Sequence, residues 1–341
     1  MNILYVSVHQ ILEYDEIRMF QKAGHVVFSL GVYFGFKASQ QFRPELPFGD
    51  AERRMMAVFE ASGCSYEYGS PIPDQILTDS FIDQFDIVLV MHSIDFIEHH
   101  WNTISRCPVI WRTIGVNIEA EEERIAPFRA KGCKIVRYSP MEALAKYYAG
   151  HDAVIRFGKF PNDFAPWTGE AKQVVLFSMA MKARFPAEYE QVAESLQGFP
   201  HVIGGAHNQD IPNAVGVVPY EGQLDLLRKS RIYLYGAGTF ISYTLNFIEA
   251  WMSGIPVIVL DGRSVLPADY FRFAEVTSLI NGGTSGMIVT SVSQAKDVIA
   301  YLLDNIELAG AIGTNGRAAA TAIFGVENIS KQWNEFLATL V

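Results

Sequence analysis

Residues 232–258, IYLYGAGTFISYTLNFIEAWMSGIPVI, gather the side chains best suited to chemistry. A buried-strand pattern, Ile232–Tyr235, runs into a small glycine-rich loop containing Gly236 and Gly238, and the loop opens a helix expected over about Leu245–Met252. The first amides of a helix point at an anion and carry the positive end of its dipole, and the hydroxyls of Ser242 and Thr244 stand beside them. Simple N-capping by the same hydroxyls uses the same geometry. Glu249 follows on an otherwise largely apolar stretch of the helix. A carboxylate there can accept hydrogen bonds from a ribose diol while phosphates sit at the helix tip; the plainer alternative is a surface glutamate paired with an arginine. Gly254 ends the helix, and Pro256 begins another buried strand. The nucleotide-binding candidates are Gly238, Ser242, Tyr243, Thr244, Leu245 and Glu249.

This window resembles the nucleotide-sugar motif of glycosyltransferase family four, a family of retaining GT-B enzymes. Its helix carries two glutamates with seven residues between them, the second followed by small residues, glycine and proline. Glu249-Ala250-Trp251-Met252-Ser253-Gly254-Ile255-Pro256-Val257 matches the second half, whereas Ile241 stands where the first glutamate belongs. The resemblance implies that Glu249 binds the donor ribose, and Ile241 makes the chain a divergent relative. It also implies basic residues after the first strand of the second domain, to neutralise a departing diphosphate; Lys182 and Arg184 occupy that stretch, after Val174–Ser178. Their alternative is a solvated basic turn. In the first domain, Asp86–Ser93 resembles a family strand that ends in a histidine. His92 is therefore a candidate to contact acceptor or sugar hydroxyls, or else a packed histidine. Arg112, in the next strand region, stands near where many relatives place a His-Gly pair; it is a candidate for sugar or phosphate binding, or for pairing with Glu119.

The 341 residues predict two domains. Half are hydrophobic and 19% charged, as in a well-buried globular chain. A net charge of −10 argues against a broad nucleic-acid surface. Cys64, Cys107 and Cys133 lack metal-ligand spacing and read as ordinary thiols. No basic-flanked leader and no run near the roughly 20 apolar residues of a membrane span is present, so a cytoplasmic location is expected. The loop Ser7-Val8-His9-Gln10 lacks the glycines of a dinucleotide site, which argues against an NAD or FAD enzyme, and leaves His9 either projecting into a cleft or capping a helix. The run Glu119–Glu123 reads as a solvated helix start.

These residues need a frame. Short apolar runs alternate with amphipathic stretches, predicting an α/β chain of two Rossmann-like domains facing a central cleft. Strands are expected at Ile3–Val8, His25–Leu30, Ile87–Met91, Val109–Trp111 and Lys134–Arg137, and helices at about Glu13–Ala23 and Met141–Tyr148. Val32–Pro73 reads as an insertion or long loop with a helix-like 51–61, a place for acceptor specificity. Phe160–Gly169 reads as a linker, and a second alternation follows. Its strands are Val174–Ser178, His201–Gly204, Ile232–Tyr235 and Pro256–Leu260, with helices at about 187–196, 222–229, 245–252, 293–305 and 307–322. The expected domains are 1–160 for the acceptor and 161–325 for the nucleotide sugar, with 326–341 returning to the first and Trp333 docking there.

The combined expectation is a metal-independent, retaining hexosyltransferase-type enzyme moving a sugar from a nucleoside diphosphate donor to an acceptor hydroxyl. It needs no cofactor beyond the donor, and Lys182, Arg184, His92 and Arg112 carry the catalytic assignments. The acceptor is open: a glycan, a small molecule or, as a minor alternative, a modified DNA base. A sugar-nucleotide epimerase and a two-lobed ligand-binding protein are the rivals.

Overall fold

The computed structural model describes residues 1–36, 43–115, 119–236, 241–262 and 271–340. They form two compact units, residues 1–158 with 326–341, and residues 159–325.

The first unit runs β1 (Asn2–Val6), α1 (Gln10–Lys22), β2 (Val26–Leu30), α2 (Asp50–Ala61), α3 (Asp79–Ile82), β3 (Ile87–Met91), α4 (Ile94–Ile104), β4 (Val109–Arg112), α5 (Glu119–Ala130), β5 (Lys134–Arg137) and β6 (Ala153–Val154). All strands are parallel, in the order β2-β1-β3-β4-β5-β6. A parallel sheet is covered on both faces, which is why β3 is a run of five fully buried apolar residues. His9 caps α1, its Nδ1 accepting the Leu12 N–H at 3.4 Å. The inward face of α1 carries carboxylates: Glu13 accepts from Ser29 Oγ at 2.7 Å and from the amides of Val32 and Tyr33, and Glu16 accepts from the Tyr5 hydroxyl at 2.6 Å. The helix expected over 141–148 is instead a short 3-10 turn, Pro140–Leu144. Glu142 explains it, because its Oε1 accepts the amides of Tyr138 and Ser139, pulling the chain into a tight cap.

The second unit runs β7 (Ala171–Phe177), α6 (Met181–Arg184), α7 (Pro186–Leu196), β8 (His201–Gly204), β9 (Ala214–Gly216), α8 (Tyr220–Lys229), β10 (Ser230–Gly236), α9 (Leu245–Ser253), β11 (Val257–Leu260), α10 (Val276–Leu279), β12 (Met287–Val289), α11 (Val292–Asp304) and α12 (Ile306–Phe324). Its parallel order is β12-β11-β10-β7-β8-β9. The aromatic stretch 160–169 belongs to this unit and is tied down: Arg317 Nη2 donates to Pro161 O and Phe164 O, each at 3.0 Å, and Trp167 Nε1 donates to Ser230 O at 2.8 Å. The chain then returns to the first unit as α13 (Val326–Leu337), whose buried Trp333 lies edge-on to Phe20 at 5.3 Å. Among the described residues no helix is long and apolar enough to cross a membrane.

In each unit the strand order reverses direction beside its first strand, between β1 and β3 and between β7 and β10. Ligands of open α/β sheets bind beyond the carboxyl ends of strands at such points.

Candidate functional site

The reversal point of the second unit holds a cavity of about 50 Å³, lined by the carboxyl ends of β7 and β10, by Ile241 and Thr244, and by Phe185 and Glu188. The loop leaving β7 is held in an unusual shape. Ala180 adopts left-handed φ 47°, and its amide donates to Ala206 O at 2.8 Å. Asn208 is buried and ties the loop three times: its Oδ1 accepts the Met181 amide at 2.9 Å, and its Nδ2 donates to Ser178 O at 2.6 Å and to Gly205 O at 3.2 Å. Gly205 sits at φ 129°, where a Cβ would collide with Ser178 O.

That loop delivers α6 and its two cations. Lys182 is exposed, 3.2 Å from Asp210 Oδ2. Arg184 is exposed and lies 5.0 Å from the centre of the Phe185 ring, with no carboxylate partner among the described residues. A guanidinium in this state meets an anion at little desolvation cost.

Thr244 is the N-cap of α9, its hydroxyl accepting the Phe247 amide at 3.2 Å. Leu245 is the first helical residue, and Asn246 fastens the helix start to β7 by donating to Phe177 O at 3.2 Å. Ser242 and Tyr243 are buried; the Ser242 carbonyl accepts the Glu275 amide, and the Tyr243 ring stands edge-on to Phe324 at 5.2 Å. Gly238 lies outside the described residues.

Glu249 is buried rather than standing on the surface. Its Oε1 accepts from Lys159 Nζ at 2.5 Å and its Oε2 from Gln223 Nε2 at 2.6 Å. Lys159 is buried as well, so the pair is an internal one, and sequence reasoning missed both partners. The available signal was a lone lysine in the apolar run Phe157-Gly158-Lys159-Phe160.

In the first unit His92 follows β3 with left-handed φ 59°, a strained state for a non-glycine residue. Its ring stacks on Trp111 at 6.2 Å and 11°, its Nε2 is 3.9 Å from Glu121, and its buried Nδ1 has no hydrogen-bond partner among the described residues. Burial lowers its pKa; the Glu121 carboxylate opposes the shift and Arg137 adds to it.

Arg112 is a correction. Its guanidinium is fully buried, donating to Ile155 O at 2.6 Å, Arg156 O at 3.3 Å and Glu16 Oε1 at 3.3 Å, so it braces the unit from within. Glu119, the partner expected for it, pairs with Lys146 at 2.8 Å. The acidic run is likewise not all solvated, because Glu122 is buried and receives Arg137 through both oxygens, at 2.6 and 2.8 Å. Arg137 also reaches Glu142, whose pKa burial pushes up to about 7 against the pull of that guanidinium.

No protein-family model and no curated protein matches the chain. Solved structures do. Anabaena Alr3699/HepE, in complex with UDP and glucose, is similar over 100% of both chains, with TM-score 0.68 at 13% identity. The fold is that of the GT-B glycosyltransferases. A sucrose-phosphate synthase from Thermosynechococcus elongatus is similar over 100% of this chain and 99% of its own, with TM-score 0.66 at 13% identity. A glycosyltransferase from Rickettsia africae covers 99% and 98%, with TM-score 0.67 at 14% identity.

Proposed function

We propose that the chain transfers a sugar from a nucleoside diphosphate donor to an acceptor hydroxyl, with retention at the anomeric carbon and without a metal. The observation that carries this is the meeting, at the reversal point of the second sheet, of the start of α9 with the loop that leads into α6, the helix of Lys182 and Arg184. Anabaena HepE, which shares the fold, is a complex with UDP-glucose in one structure, so uridine is the first base to try.

In this reading the diphosphate lies at the amides of α9 and against Arg184, with Lys182 exchanging Asp210 for phosphate. As the glycosidic bond breaks, negative charge grows on the leaving phosphate, and fixed cations stabilise it there. Glu249 serves the ribose: its carboxylate, held by Lys159, takes the diol in place of the Gln223 amide. A carboxylate so enclosed is no nucleophile, which favours front-face displacement with the donor phosphate accepting the acceptor proton. His92 is assigned to the acceptor on the first unit.

The test incubates UDP-, GDP-, ADP-, CDP- and dTDP-sugars with the chain, with and without a chelator, and reads the anomeric signals of the product by NMR. The reading predicts turnover of one donor class, unaffected by the chelator, with retained configuration and at least tenfold loss in Arg184→Ala. Turnover of none, or turnover insensitive to Arg184, overturns it.

A further inference from the structure

The first unit holds a second, larger cavity, of about 260 Å³, and it too sits at a reversal point, beyond the carboxyl ends of β1 and β3. Val6, Ser7 and Val8 supply one wall and Ser93 and Phe96, at the start of α4, another. The third wall comes from residues 66–75, which run from the end of the long insertion to just beyond it.

That wall is built rather than loose. Ser65 and Ile76 close its base with reciprocal backbone hydrogen bonds of 2.9 and 2.8 Å. Tyr66 stands edge-on to Phe34 at 4.9 Å, and Gln75 Nε2 crosses the loop to donate to Ser70 O at 3.1 Å. A carbonyl only accepts, so this bond fixes the amide with Nε2 toward Ser70. Gln75 Oε1 is left buried with no hydrogen-bond partner among the described residues. Such an acceptor costs about 1–3 kcal/mol until a donor reaches it. Ser93 adds the complementary group: its Oγ accepts the Phe96 amide at 3.3 Å, which leaves its hydroxyl hydrogen to donate.

Among the described residues the lining contains no charged side chain. A phosphate, carboxylate or ammonium placed there would lose its hydration without a counter-charge. What the walls do offer is the rings of Tyr66, Tyr68 and Phe96 and the hydroxyls of Ser7, Ser70 and Ser93, with the buried Gln75 amide oxygen behind them. Aromatic faces suit the C–H surface of a sugar ring, and scattered hydroxyls suit its alcohols. The volume is below the roughly 300–1,000 Å³ of whole drug-sized sites, and suits a single ring.

We propose that this cavity is the acceptor subsite and that it takes one uncharged pyranose ring, with residues 66–75 setting which one. Its role as an acceptor site rests on the glycosyltransferase reading; its capacity to bind a neutral sugar does not. Gln75 Oε1 receives a ring hydroxyl, and Tyr68, half open to solvent at the rim, covers the ring.

The experiment is saturation-transfer NMR on the full chain with methyl glucopyranoside, galactopyranoside and mannopyranoside, against glucose 6-phosphate and p-nitrophenol, with UDP titrated in parallel. The expected result is ring-proton transfer for at least one methyl pyranoside, little for the phosphate or the phenol, and at least fivefold loss in both Tyr68→Ala and Gln75→Leu. Tyr68 is exposed enough that its truncation leaves the fold intact, and unchanged hydrogen exchange of first-unit peptides covering β1 and β3 confirms this for both variants. Absence of any pyranoside signal, survival of the signal in both variants, or equal signal from the phosphate or the phenol overturns the proposal. Failure of UDP with pyranoside binding retained overturns the reading of the second unit alone.

Discussion

Replacing Lys159 by methionine isolates the most consequential ion pair of the second unit. The side chains of Lys159 and Glu249 are 3% and 1% exposed, and Nζ lies 2.5 Å from Oε1. Removing the ammonium takes from the buried Glu249 carboxylate its Lys159 donor and leaves the Gln223 amide in place. Breaking such a pair from one side costs about 3–5 kcal/mol, whereas neutralising both partners is often close to neutral. Lys159→Met is thus expected to destabilise the second unit by about 3–5 kcal/mol, and Lys159→Met/Glu249→Gln to recover most of that. Because two units need not unfold together, a single melting curve is a poor readout. Hydrogen exchange of peptides covering α9 reports the unit directly, and the single variant should speed exchange of its best-protected amides by roughly two to nearly four powers of ten. A loss below about 1 kcal/mol, or a double variant no better than the single one, would refute the reasoning.

Arg112→Lys should lower the stability of the first unit by about 2–4 kcal/mol, since an ammonium cannot reach the three acceptors at once, while nucleotide affinity stays unchanged; hydrogen exchange and calorimetry separate the two. Glu142 carries a pKa of about 7 in the fold against 4.5 unfolded, so it binds the proton more tightly when folded. Its contribution is complete below pH 4.5 and is lost as pH rises through about 7, by at most about 3 kcal/mol; Glu142→Gln should flatten that decline in denaturant titrations of the first unit. Asn208→Ala removes three ties on the loop after β7 and should weaken nucleoside diphosphate binding by about tenfold without loss of circular dichroism, as measured by calorimetry.

The sheets were legible because parallel strands buried on both faces leave uninterrupted apolar runs: β3, β5 and β8 have the predicted limits. The second end of α9 was legible too, through Gly254 at φ 82°. The short edge strands β6, β9 and β12, of two or three residues, are too brief for any periodicity and went unpredicted. The 141–148 stretch misled because its helical composition is overruled by one buried carboxylate, Glu142. At the site, Thr244 could be read from its place before an apolar helix, but the partners of Glu249 could not, as Lys159 stands 90 residues away. Arg112 and Arg137 show the same limit. Each ends an apolar strand, and only the fold reveals that each turns inward, Arg112 to Glu16 and two backbone carbonyls and Arg137 to Glu122 and the Gly150 carbonyl.

The central claim, that the second unit holds a nucleoside diphosphate between the start of α9 and the cations of α6, is tested most directly by calorimetric titration of UDP, GDP, ADP, CDP and dTDP into the chain and into Arg184→Ala. The account predicts one bound nucleotide per chain for one base, weakened about tenfold in the variant, the loss expected for one charge-assisted hydrogen bond. Binding of none of the five, or binding unchanged by Arg184→Ala and by Lys182→Ala together, would contradict it.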